Sequence, residues 1–134
     1  PQIAAIVEAG IPGVGHIGML PQQVNEEGGY KIKGKTDEEI ARLKADAEAV
    51  QEAGAIAVVM ELIRPEPARE ITALLRIPTI GIAAGPHCDG QVLVSHDLFG
   101  MFPWFVPKFV TPAAQVGEII RNTAREFVER IHQS

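Results

Sequence analysis

The run Ala55-Ile56-Ala57-Val58-Val59-Met60-Glu61-Leu62 constrains the fold of this chain more than any other stretch. The residues leading to Glu61 are continuous core apolars, as in a parallel strand buried on both faces. A carboxylate closing such a run is costly to bury unless it is paired or lies near water. At the carboxyl ends of strands in barrels and doubly wound sheets, however, catalytic groups are where they are expected. Glu61 is therefore the candidate chemical centre, and the rest of the chain is read by what it places around it.

The other segments repeat the layout of apolar strand, polar or glycine-rich tip, and helix. Ile3, Ile6 and Val7 at helical spacing, followed by Gly10 and Pro12, mark the end of a first helix. Residues 11–16 form a short apolar strand whose tip is Gly15-His16-Ile17-Gly18. Residues 17–35 lack periodicity and are broken by Gly28, Gly29 and Gly34, which predicts a lid or binding loop. Thr36 and Glu39 have the spacing of a capping box, opening a helix with Ile40, Leu43, Ala47 and Val50 on one face and Gly54 at its end. After the Glu61 strand, Pro65 and Pro67 suit a first helical turn, and that helix is expected to bury Ile71, Leu74 and Leu75. Residues 77–84 read as a third strand, Asp89-Gly90 as a turn, and residues 91–98 as a fourth strand carrying His96 and Asp97. Residues 99–110 read as a packed, irregular aromatic loop, and Thr111-Pro112 carries the cap signature of a last helix. Its apolar face is Val116, Ile119, Ile120, Phe127 and Ile131.

Alternation of this kind implies parallel strands with helices outside. Four strands are half of an eight-stranded barrel and leave two open edges. The expected fold class is α/β, a (β/α)8 TIM barrel to which this chain supplies about four β-α units. Residues 1–134 are read as a single domain, the carboxyl-terminal half of such a barrel. The alternative is a small open α/β sheet complete in itself. A net charge of −5 argues against nucleic acid or an acidic membrane as partner. No apolar run reaches the roughly 18 residues of a membrane span, and the lone Cys88 fits a reducing cytoplasm.

The strand tips also carry a resemblance. Gly15-His16-Ile17-Gly18, Pro21-Gln22-Gln23-Val24-Asn25, Gly28-Gly29-Tyr30-Lys31 and Gly34 are followed in order by the Glu61 strand and Ile77-Pro78-Thr79-Ile80-Gly81-Ile82. Gly85, Asp89-Gly90-Gln91 and Pro107-Lys108-Phe109 complete the set. The set resembles the ketopantoate hydroxymethyltransferase (3-methyl-2-oxobutanoate hydroxymethyltransferase) family over nearly the whole chain. The resemblance implies an enzyme of pantothenate synthesis that transfers a hydroxymethyl group from 5,10-methylenetetrahydrofolate to 3-methyl-2-oxobutanoate, giving 2-dehydropantoate. It implies Mg²⁺ holding the oxoacid, a homo-oligomer of cytoplasmic location, and a partner in the missing amino-terminal half or in self-association. By position, Glu61 matches the family's proton acceptor and His16 a histidine lining the substrate pocket. The metal-binding carboxylates, and the serine and lysine that hold the oxoacid, belong to strands expected outside this chain. Two departures stand out: Leu62 replaces a Cys or small residue, and Ala83 replaces a glycine.

Each candidate has a plainer reading. Glu61 pairs with Arg64 at a rim, and His16 is a capping or packing residue. His96 and Asp97, adjacent on a strand, face opposite ways and are structural. His87, Cys88 and Asp89 are too close together to make a metal site without distant partners. Lys31, Lys33 and Lys35 form a solvated face, or attract the acidic tail of folate. A non-catalytic half-barrel scaffold or interaction module, and another metal-dependent 2-oxoacid aldolase or lyase, are the competing functional classes.

Overall fold

The structure, a computed structural model, describes residues 1–102 and 104–133. Its elements in chain order are α1 (Gln2–Glu8), β1 (Val14–Gly18), α2 (Asp37–Glu52), β2 (Ala57–Glu61), α3 (Pro65–Leu74) and β3 (Thr79–Ile82). They are followed by β4 (Gly90–Gln91), α4 (Ser95–Leu98) and α5 (Val116–His132). The four strands form one sheet in the order β1-β2-β3-β4, and every pairing is parallel. This is a mixed α/β architecture consistent with part of a TIM-barrel-type fold.

The chain divides into two compact units, Pro1–Val92 and Leu93–Ser134. The first holds the whole sheet. Partners in a parallel sheet point the same way, so the register sorts its residues by face. Gly15, Ile17, Val58, Met60, Thr79 and Gly81 share one face and are all buried. They join Leu43, Ala47 and Val50 of α2 and Ala68 and Ile71 of α3 in the core of this unit. Close packing here depends on a missing side chain, because a Cβ at Gly15 would lie 2.2 Å from Val50 Cγ1. The other face carries Val14, His16, Ala57, Val59, Glu61, Ile80 and Ile82, of which only Ala57 is buried. Within this unit, helices α2 and α3 thus cover one side of the sheet and leave the other side open.

Local signals explain most element ends. The Thr36 hydroxyl accepts the Glu39 N–H at 3.2 Å, while the Glu39 carboxylate reaches back to the Lys35 N–H at 2.7 Å. This is a capping box displaced by one residue on its return arm. After α1, Gly10 takes φ +80° and Ile11 N–H donates to Ile6 O, a left-handed helix stop. In α3, Pro67, Ala68 and Ile71 are buried, but Leu74 is exposed, against expectation, because it ends the helix at the flank of the buried stripe.

A polar clamp ties α3 to the start of β3. The fully buried Thr79 donates its hydroxyl and its N–H to Asp89 Oδ2, at 2.9 and 2.8 Å. With its single proton so committed, the Thr79 hydroxyl accepts from Thr72, 2.9 Å away, and from the Asp89 N–H. The Thr79 N–H, then its hydroxyl, hold the Asp89 carboxyl below its ordinary value. Burial pushes the neighbouring Cys88 thiol up, so it remains protonated and unreactive. This is structural chemistry at the end of β3 opposite to Glu61.

Three expectations fail in the later part of the chain. The predicted fourth strand at 91–98 is only Gly90–Gln91, and Ser95–Leu98 is a helical turn. His96 and Asp97 are therefore not on a strand, and the alternation used to separate them does not apply. His96 instead stacks on Phe102, with ring centroids 5.2 Å apart. The last helix starts at Val116, not at Thr111-Pro112. The loop at 99–110, of which Pro103 lies outside the described residues, is irregular as expected but not packed: Phe99, Trp104, Phe105 and Phe109 are exposed. On α5, Ile119, Ile120 and Phe127 are exposed as well.

Among the described residues no helix is long and apolar enough to cross a membrane.

Candidate active site

β1 and β2 run side by side so that Gly18 stands opposite Glu61 and His16 opposite Val59. His16 and Glu61 consequently lie on the open face, diagonal to one another, at the carboxyl end of the sheet. Their side chains meet, with His16 Nε2 3.2 Å from Glu61 Oε2. The sequence offered Arg64 as the bland partner of Glu61. Arg64 is instead an exposed residue at the start of α3 whose N–H donates to Lys33 O, and the side chain that meets Glu61 is that of His16.

The strand tip around this pair is shaped by three left-handed residues. Gly18 has φ +92°, and a Cβ there would lie 2.2 Å from the Glu61 carbonyl oxygen, which accepts the Met19 N–H at 2.9 Å. Leu62 and Ala83, the two family departures, have φ 51° and 52°. Leu62 turns the chain directly after Glu61, with its own N–H on Ile82 O and its carbonyl accepting from Lys33. Both departures therefore put a Cβ where the backbone favours glycine or another small residue. Ala83→Gly is expected to stabilise the protein by about 0.5–1 kcal/mol, the relief of roughly 1–2 kcal/mol of left-handed strain less about 0.4–1 kcal/mol of added unfolded-chain entropy. A urea midpoint that stays put or falls would show that Ala83 carries no such strain.

The glycine-broken segment before α2 is a folded loop attached to the same strand end. A 3-10 turn at Pro21–Gln23 leads to turns closed by Gly29 N–H on Val24 O, and Lys33 makes a parallel bridge with Ile63. The three lysines do not form one solvated face. Lys31 and Lys35 are exposed, while Lys33 is half-buried and its ammonium is paired with the Glu27 carboxylate. A cleft of about 590 Å³ runs between α1, α2 and the free edge of β1, with His16, Lys33, Arg42 and Asp46 in its lining. Glu61 does not line it. The chemistry is better placed on the open sheet face, where the carboxylate is.

Among the described residues no group of three or more His, Cys, Asp or Glu side chains is placed to hold a metal ion. His87, Cys88 and Asp89 do not converge, because Asp89 is turned onto Thr79.

A parallel α/β sheet presenting an acid–imidazole pair at the carboxyl ends of adjacent strands has the layout of the barrel enzymes, whose chemistry sits on that rim. The family model for ketopantoate hydroxymethyltransferase matches residues 1–134, and the chain belongs to that family. Among similar proteins, 3-methyl-2-oxobutanoate hydroxymethyltransferase of Heliobacterium modesticaldum is 48% identical over 131 residues, 98% of this chain and 48% of that protein. The protein of the same name from Mesorhizobium japonicum is 52% identical over 130 residues, 97% of this chain and 46% of its own length. That of Geobacter sulfurreducens is 50% identical over 129 residues, 96% of this chain and 48% of its own length. The chain spans about half the length of the curated relatives it matches.

Proposed function

We propose that this chain is the carboxyl-terminal half of a single (β/α)8 barrel domain that transfers a hydroxymethyl group from 5,10-methylenetetrahydrofolate to 3-methyl-2-oxobutanoate, forming 2-dehydropantoate for pantothenate synthesis. One observation carries the reading: Glu61 stands at the carboxyl end of β2, on the uncovered face of a parallel sheet. The free edge of β1 supports the barrel, since an edge strand of this kind is an unfilled pairing site. On this reading the remaining strands come from the rest of the polypeptide.

Glu61 is the base. It removes the proton from C3 of the oxoacid, and the electron pair left behind moves into the adjacent carbonyl as an enolate. That carbon then bonds to the methylene carbon carried by the folate, whose bonds to the folate nitrogens break with their electron pairs going to nitrogen; water supplies the hydroxyl group, and tetrahydrofolate leaves carrying the protons. On the open face Val59, Ile80 and Ile82 are the apolar neighbours of Glu61 by register. The described residues do not form a metal site, so the reading leaves Mg²⁺, with its Lewis-acid role toward the oxoacid, to carboxylates outside this chain. The partners are the oxoacid, the folate and further copies of the protein, in the cytoplasm.

The test is transfer by the complete polypeptide. 2-Dehydropantoate should form only with both 5,10-methylenetetrahydrofolate and Mg²⁺ present, and a chelator should bring the rate to background until Mg²⁺ is restored. Product formed equally well without the folate would sink the reading.

A further inference from the structure

Resting on Glu61 as the base, we propose that His16 is a positioning residue for the Glu61 carboxylate and not a ligand of the oxoacid. A glutamate side chain has three rotatable bonds, and a base works only within about 2.6–3.2 Å of the proton it takes. Something must hold it. Directly opposite Glu61 stand Gly18 on one side and Ile82 on the other. Neither can hydrogen-bond a carboxylate through its side chain. The side chain that reaches the carboxylate is the imidazole two residues earlier on β1, diagonal to Glu61 on the same face.

The geometry suits that role. His16 Nε2 lies 3.2 Å from Glu61 Oε2, within reach of an N–H donated to the carboxylate. Among the described residues, Glu61 Oε1 has no hydrogen-bond or ion-pair partner in the protein, so tying Oε2 leaves the other oxygen available to take a proton. The backbone that carries the imidazole is firm, because Gly15 and Ile17 on either side are buried in the helix-covered face. Exposure orders the pair: the His16 side chain is 36% exposed and that of Glu61 14%. The imidazole is thus the outer member of the pair and the carboxylate the more deeply set one.

Steady-state kinetics of the complete polypeptide separate positioning from binding. His16→Ala is expected to lower kcat by about 30- to 100-fold, the scale of a base misplaced by roughly an ångström, with the oxoacid KM changed less than about threefold. His16→Gln keeps a donor at nearly the reach of Nε2 and should recover about tenfold of that loss, whereas His16→Asn, one methylene shorter, should not. The Gln and Asn forms preserve a polar side chain of similar bulk, so their comparison holds even where the Ala form folds poorly. An oxoacid KM raised tenfold with kcat retained, or equal rates in the Gln and Asn forms, would overturn the proposal. Glu61→Gln assayed alongside tests the underlying reading by itself: wild-type turnover there removes the base, whatever His16 does.

Discussion

Glu61→Gln is expected to lower kcat of the complete polypeptide by about 10³-fold or more, equivalent to roughly 4 kcal/mol of barrel-rim chemistry, while the oxoacid still binds. The substitution is well matched to the site. Glutamine has the length of glutamate, and its carbonyl oxygen can take the position that Oε2 now occupies, 3.2 Å from His16 Nε2. Packing against Ile82 and the close approach of Gly18 are unaffected, because both involve the backbone or the aliphatic stem. What disappears is the capacity to take a proton. Loss of turnover with unchanged oxoacid affinity, measured by calorimetry, is therefore the signature of a base. A variant that keeps its rate but binds the oxoacid tenfold more weakly would place Glu61 in substrate binding instead.

The sheet and the first helices could be read from the chain because their signals are local and mutually consistent. Val58, Val59 and Met60 leave no polar face for a helix to expose, and Thr36 with Glu39 writes the start of α2 directly. The errors fall where distant backbone decides. Val92, Leu93 and Val94 have the β-branched, apolar character of a strand, yet pairing with β3 stops at Gln91 and Val94 becomes the cap of a helical turn. Thr111-Pro112 has the local form of a helix start, but Ala113 and Val116 give their N–H groups to Leu98 O and Phe99 O. A Cβ at Gly100 would stand 2.3 Å from Ala114 O. Those contacts hold residues 111–115 against residues 98–100, and the helix begins only beyond them. The partner of Glu61 was missed for the same reason. Arg64 is near in sequence, whereas His16 reaches Glu61 only through the register of β1 on β2.

That register also fixes where the chain tolerates least change. Gly18→Ala is expected to cost about 2–5 kcal/mol, a large part of the roughly 5–15 kcal/mol that stabilises an ordinary domain. Two effects combine there. At φ +92° an L-residue pays about 1–2 kcal/mol of left-handed strain. Beyond that, the added methyl would sit 2.2 Å from Glu61 O and 2.8 Å from Ile63 Cγ1. The first of these is backbone, so relief requires moving the end of β2 and stretching the Met19 N–H bond to Glu61 O. Gly28 supplies the control, with φ +69° and nothing within 4 Å of its hypothetical Cβ, so that alanine there should cost only the strain. Denaturation midpoints of the two variants separate the contributions, and a Gly18→Ala midpoint equal to that of Gly28→Ala would mean that β2 yields without cost. Even a stable Gly18→Ala protein should turn over slowly, since the oxygen that must move belongs to the same residue as the proposed base, and a displacement of about 1 Å is enough to cost about 10²-fold.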